Sequence, residues 1–213
     1  MDKNTDFVTE KRVEKTIKNL EKNNMRGYFV QDEQEAIGKI KEIMKKGDVV
    51  TVGGSMTLFE IGAIDLLRSG DYEYLDRYAE GLTPEDMKEV FRKGFSADTY
   101  LTSSNAITEQ GELYNIDGTG NRVASMLFGP DKVIVVVGKN KIAVDVEDAV
   151  KRVKAIASPA NNVRLKRDNP CVKSGFCSDC TSPTRICNEY TLIKRQAFPD
   201  RIHVIIVNKD LGY

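Results

Sequence analysis

What this sequence lacks narrows it first. It has no excess of either charge: Lys+Arg and Asp+Glu both number 32, so the formal net charge at pH 7 is zero. A broadly basic face for nucleic acid or an anionic membrane is therefore not an expected feature. No apolar run approaches the ~20 residues that cross a bilayer. The opening MDKNTDFVTEKRVEK lacks the apolar core of a signal peptide. Together these point to a soluble, cytoplasmic chain with no membrane span. There is a single histidine, His203, inside the apolar run from Arg201 to Val207. Ser–His–Asp chemistry would thus depend on one ring from a packed strand. Internal repeats and low-complexity tracts are missing too.

What remains reads as one α/β domain over residues 1–213, long enough to bury a sizeable core. An N-terminal helix occupies 1–27, with Val8, Val13, Ile17 and Leu20 on one narrow face. Tyr28-Phe29-Val30 forms a strand, Glu33 to Lys46 a second amphipathic helix, and Val49 to Val52 a buried strand. Gly53-Gly54-Ser55 turns the chain into a helix carrying Leu58, Ile61 and Leu66. Thr83-Pro84-Glu85-Asp86 caps another helix. Strands follow at 97–102 and 133–137, then a helix from Asp145 to Ala157 that Ser158-Pro159 ends. Alternating helices and apolar strands at this spacing predict a mostly parallel, Rossmann-like sheet.

The stretch 97–146 organises the rest. Its first strand ends in Ser103, Ser104 and Asn105, and two β-like pieces follow around Ile107 and Leu113. Then comes Asn115-Ile116-Asp117-Gly118-Thr119-Gly120-Asn121, a glycine-rich entry to a helix. Such turns let backbone approach a small anion, and a helix N-terminus supplies unpaired N–H groups. The turn at Gly53, Gly54, Ser55 and Thr57 offers the same features but is no P-loop, since no Lys follows the glycines. Both turns fall where α/β sheets collect ligands, beyond the strand carboxyl ends. The expected ligand-binding set is therefore Gly53, Gly54, Ser55, Thr57, Ser104, Asn105, Asn115, Asp117, Gly118, Thr119, Gly120 and Asn121. Glu60 and Asp117 are the candidate catalytic carboxylates. Ordinary turn and capping roles compete with every one of these assignments.

The four cysteines all lie in the segment 168–190, as Cys171, Cys177, Cys180 and Cys187 with spacing C-x5-C-x2-C-x6-C. In a reducing compartment, clustered thiols point to metal or redox use. Four thiolates suit zinc or an iron–sulfur cluster, which spacing alone does not separate. The alternative is four reduced thiols packing as small apolar groups.

The segments VTVGGSMTLFEIGAIDLL, ADTYLTSSNAITEQGELYNIDGTGNRVASMLFGPDKVIVVVGKNKI, SGFCSDCTSPTRICNEYTLI and VIIVNKDLGY resemble the lactate-utilisation (LUD) domain family. That resemblance implies a fold like the sugar-phosphate isomerases and coenzyme A transferases, a parallel sheet with an antiparallel flap. It also implies a place beside iron–sulfur redox proteins in lactate or related organic-acid metabolism. The cysteines depart from the lactate branch. A more distant similarity is to methylthioribose-phosphate isomerases and related initiation-factor subunits. It sets Asn105 where that pattern has its catalytic acid, and an amide is no general acid–base. Two expectations follow. One is a redox-linked accessory protein that binds a small anion, sugar-phosphate-, nucleotide- or carboxylate-like. The other is an isomerase- or transferase-type enzyme acting on a phosphorylated or coenzyme A substrate.

Overall fold

The structure is a computed structural model and describes residues 2–213. Ten strands divide into two sheets. They are β1 (Arg26–Val30), β2 (Val49–Val52), β3 (Glu73–Tyr74), β4 (Thr99–Thr102), β5 (Ala106–Thr108), β6 (Leu113–Asp117), β7 (Lys132–Gly138), β8 (Ile142–Ala143), β9 (Glu189–Ile193) and β10 (Ile202–Val207). The larger sheet has the order β1-β10-β7-β4-β2-β3, and every pairing in it is parallel. The smaller sheet, β8-β5-β6-β9, is antiparallel at β5/β6 and β6/β9 and parallel at β5/β8.

Side chains alternate across a strand, so the apolar run 133–137 of β7 must be covered on both faces. Ile134 and Val136 join Leu101, Ile205 and Val207 under α2 (Glu33–Ile43), α3 (Met56–Glu60) and α4 (Ala63–Leu67), after α1 (Lys3–Lys22). Val133, Val135 and Val137 face the other way. They pack with Val13 and Leu20 of α1 and Ile107 and Leu113 of the small sheet. Beyond α5 (Pro84–Lys93), α6 (Asn121–Leu127) closes the same side through Val123 and Met126. The small sheet's far face carries Ala106, Tyr114 and Ala143 against Ala149 of α7 (Val146–Arg152) and against Val153 and Ala157.

Besides the N-terminal helix, which is Lys3–Lys22 rather than the expected 1–27 because β1 already begins at Arg26, three sequence-predicted boundaries shift. The helix after Ser55 is broken into α3 and α4 by Gly62, whose φ of 76° does not belong in a helix. The second helix stops at Ile43, short of Lys46. The third difference matters for the site. Ser158-Pro159 does not end its helix: Val153–Ala157 form a π turn, and α8 (Ser158–Arg164) continues from it. Proline lacks an N–H, but near the start of a re-registered helical turn none is required. A last short helix, α9 (Pro170–Ser174), opens the cysteine segment.

The β5–β6 hairpin is pinned by Gly111 (φ 75°), where an added Cβ would lie 2.5 Å from Leu20 N and 2.6 Å from Asn19 C. Gly47 has a similar φ of 86° with open space around it. Gly47→Ala should therefore cost only the left-handed penalty of about 1–2 kcal/mol. Gly111→Ala adds a backbone clash worth about 1–3 kcal/mol more. Equal urea midpoints for the two variants would refute the docking of this hairpin on α1.

Candidate anion-binding cavity

The carboxyl ends of β2 and β4, the turn after β6 and the extended α8 surround one cavity of about 330 Å³. That is the lower end of the range for small-ligand sites. Gly54 and Ser55 line it from one turn and Asp117, Gly118, Thr119 and Asn121 from the other, so the two glycine-bearing turns do meet. Ser104 and Asn105 line it between them.

The remaining expected residues stand one layer back. Thr57 accepts a hydrogen bond from Lys141 Nζ at 3.0 Å, and Asn115 Oδ1 accepts one from Arg122 at 2.7 Å. Gly53 is packed so closely that a Cβ would come 2.5 Å from Tyr100 Oη and 2.9 Å from Arg122 Cγ. Gly120, with φ of 74°, is the N-cap of α6. Glu60 accepts from Gly212 N at 2.6 Å and so fastens the tail 211–213 over α3.

The helix ends are partly occupied by their own side chains. Asp117 accepts from Gly118 N (2.9 Å), Arg122 N (3.0 Å) and Val123 N (3.1 Å), so its carboxylate occupies the start of α6. Ser55 likewise caps α3 by accepting from Leu58 N. Side chains supply the charge instead. Arg77, Arg122, Lys141, Arg164 and Arg167 line the cavity, and Asp117 is the one acid beside them. Among the described residues, no salt bridge involves any of these five cations.

Arg122 is 8 % exposed. Its guanidinium donates to neutral acceptors: Ser103 O, Asn115 Oδ1, Asn105 Oδ1 and Ile116 O at 2.7–3.0 Å, and Met126 Sδ at 3.9 Å. Arg77 lies over the rings of Phe91 and Tyr78, and its Nε is buried without a partner. Lys141, 3 % exposed, has its ammonium pushed down to about 7 by burial first and then by Arg152 and Arg122.

The cysteine segment abuts this cavity. All four thiols line one small pocket of about 20 Å³, and Ile186 belongs to the walls of both spaces. The π turn docks the segment, with Cys177 N donating to Lys154 O at 3.3 Å and Lys154 Nζ bonding Asp179 at 2.8 Å. Arg185 donates to the carbonyls of Cys180 and Cys187. Asn188 joins the other side, donating to Asp117 O and Gly118 O, each at 2.9 Å. Burial, with the neighbouring thiols, raises the Cys171 and Cys187 thiols above their usual range. All four are free thiols. Among the described residues no three His, Cys, Asp or Glu side chains are set to hold a metal ion. The thiols converge on one pocket without closing round a centre.

A family model for the LUD domain matches residues 13–207. The chain belongs to the LUD-domain family. No curated protein matches it. Among solved structures, this LUD domain is similar to a DUF162 family protein from Deinococcus radiodurans, with a TM-score of 0.51 at 17 % identity. The match covers 94 % of this chain and 96 % of that one. That likeness extends to the fold, a mostly parallel central sheet with a smaller mixed one.

Sequence reading missed Arg77, Arg122, Lys141, Arg164 and Arg167, because a lone Arg or Lys ordinarily reads as solvated surface. A signal existed for Lys141, which closely follows the apolar run 133–137. Arg164 and Arg167 were hidden by ending the helix at Pro159. In this LUD domain Lys141 also sets a pH dependence. Its folded-state proton is held less tightly than the ordinary 10.5, so between about 7 and 10.5 the unfolded chain binds more protons. Stability contributed by this group therefore rises with pH across that window and is smallest below it. Lys141→Met should flatten that rise in urea unfolding at pH 7 and pH 9.5; an unchanged slope would count against a buried, neutral-prone amine.

Proposed function

We propose that this LUD-domain protein binds a small organic anion of about sugar-phosphate or hydroxy-acid size, as a redox-linked accessory of lactate or related organic-acid metabolism. One observation supports it above the others: four arginines and the buried Lys141 surround a cavity whose single acid is already spent on capping α6. Two unit charges about 8 Å apart at an effective dielectric of about 20 repel by roughly 2 kcal/mol. An anion relieves several such pairs at once. Arg77, Arg164 and Arg167 are the groups for a phosphate or carboxylate, since Arg offers a planar fork of donors. Asn105 Oδ1 is taken by Arg122 and by Ile116 N, which leaves its amide N–H₂ for a ligand hydroxyl.

The redox part rests on the thiols. Cys171, Cys177, Cys180 and Cys187 are four soft donors on one pocket, which fits zinc or an iron–sulfur centre by donor chemistry. The present space takes a single atom-sized guest; a cluster needs the segment to open. Iron–sulfur would supply one-electron transfer, whereas zinc would tie the segment down. The enzyme reading, an isomerase- or transferase-type activity on a phosphorylated or coenzyme A substrate, draws its support from Lys141.

Two measurements test this reading. Inorganic phosphate, lactate and ribose 5-phosphate at millimolar concentration should include at least one that raises Tm, as binding to the folded state requires. The double variant Arg77→Ala/Arg164→Ala should lose most of that shift. No shift with any of the three defeats anion binding. Anaerobically purified protein should carry zinc or iron that is lost in Cys177→Ser/Cys180→Ser, and a metal-free, colourless, fully folded preparation would defeat the redox part.

A further inference from the structure

We propose that Lys141 is the amine of a carbonyl-capturing site, condensing with a small aldehyde or ketone that carries a phosphate or carboxylate at its other end. This rests on the reading of the cavity as an anion site and adds a covalent step to it.

The hydrogen-bond directions carry the inference. Lys141 Nζ lies 3.0 Å from Thr57 Oγ1 and 3.0 Å from Ser103 Oγ. Nζ is the donor to both, while each hydroxyl's own hydrogen faces a carbonyl at the long end of hydrogen-bond range, Leu211 O at 3.5 Å for Thr57 and Ser104 O at 3.4 Å for Ser103. Both therefore present a lone pair to nitrogen. A neutral amine has two N–H bonds to give, and these two hydroxyls accept both. The nitrogen lone pair is left over, on a side chain that lines the cavity.

The charges around Lys141 point the same way. Arg152 on α7 and Arg122 on α6 oppose an ammonium there, and the acid that favours it, Glu60 on α3, is held by Gly212 N. A lysine used only as a point charge for anions has no need of burial against two guanidiniums. A lysine used as a nucleophile does, because only the unprotonated amine attacks. Arg77, Arg164 and Arg167, none of them in a salt bridge among the described residues, then hold the anionic end of the same molecule.

The step balances without a cofactor. The Nζ lone pair forms a C–N bond to the carbonyl carbon while the π pair of the C=O moves to oxygen. A proton passes from nitrogen to that oxygen, and Ser103 or Thr57 is within hydrogen-bond reach to relay it. Loss of water gives an imine, so amine plus carbonyl yields imine plus H₂O. Protonated, such an imine withdraws electrons and acidifies the neighbouring C–H, which is chemistry an isomerase or a lyase needs.

The test uses the full chain with pyruvate, glyoxylate, dihydroxyacetone phosphate and glyceraldehyde 3-phosphate, each with sodium cyanoborohydride, followed by peptide mapping. Hydride from the reagent reduces the imine carbon and leaves a secondary amine. With at least one probe, Lys141 should carry the adduct at least about tenfold above Lys139, its neighbour in the same turn. Excess inorganic phosphate should suppress it several-fold. Mapping of the unmodified sequence needs no variant, so misfolding of Lys141→Met cannot obscure the result. A probe that raises Tm yet leaves Lys141 unmodified overturns the covalent step and spares the anion site. Labelling spread evenly over exposed lysines overturns the covalent step too. No adduct together with no Tm shift from any anion overturns both readings.

Discussion

The buried guanidinium of Arg122 is the contact on which the rest of the site depends. It reaches Ser103 O beyond β4, Asn105 Oδ1, and Asn115 Oδ1 and Ile116 O on β6, so one side chain joins the large sheet to the small one. Bringing a cation out of water costs several kcal/mol, and here dipoles rather than an opposite charge offset it. Losing it would leave buried acceptors unsatisfied, each at about 1–3 kcal/mol. Several other residues follow from its placement. Gly53 has no room for a Cβ because Tyr100 Oη, Thr102 Oγ1 and Arg122 Cγ would all be within 2.9 Å. Asn105 and Asn115 supply amide oxygens aimed at the same group. Asp117 fixes the first turn of α6, on which Arg122 is carried.

Because Arg122 is satisfied by neutral oxygens, its charge is held in place but not cancelled. Lys141 then sits in the field of Arg122 and Arg152, which together with burial explains its readiness to lose a proton. Arg77, Arg164 and Arg167 add charge at the mouth, and the capped ends of α3 and α6 contribute little. The cavity is electropositive although the whole protein is neutral. Net charge described the solvated surface well and described this interior not at all.

That contrast explains what was legible in the sequence. The apolar runs 133–137 and 202–207 and the glycine turns after β2 and β6 depend on local chemistry, so the parallel sheet and the meeting of the two turns could be read directly. The cysteine segment was legible as a unit, and its four thiols do share a pocket. The basic residues were not legible, because they come from four separate stretches of chain and only tertiary packing brings them together. The helix through Pro159 was also hidden. Its continuation depends on a π turn that no propensity signals, and the loss of α8 from the reading took Asn161, Arg164 and Arg167 with it.

The π turn also explains why the thiols lie beside the cavity. Widening the helix at Val153–Ala157 frees the Lys154 carbonyl for Cys177 N, which seats the segment's first loop. From there the chain runs through Arg185, whose guanidinium gathers the carbonyls of Cys180 and Cys187, to Asn188, which holds the Asp117–Gly118 turn. Ile186 between them is a wall of both spaces. Any guest that draws the four thiols together must therefore move or fix a wall of the anion cavity. Were an anion and a thiol-bound guest both to bind, whatever one did to the affinity of the other would be returned by the same factor. The two spaces share that wall through a segment of only eighteen residues, from Cys171 to Asn188.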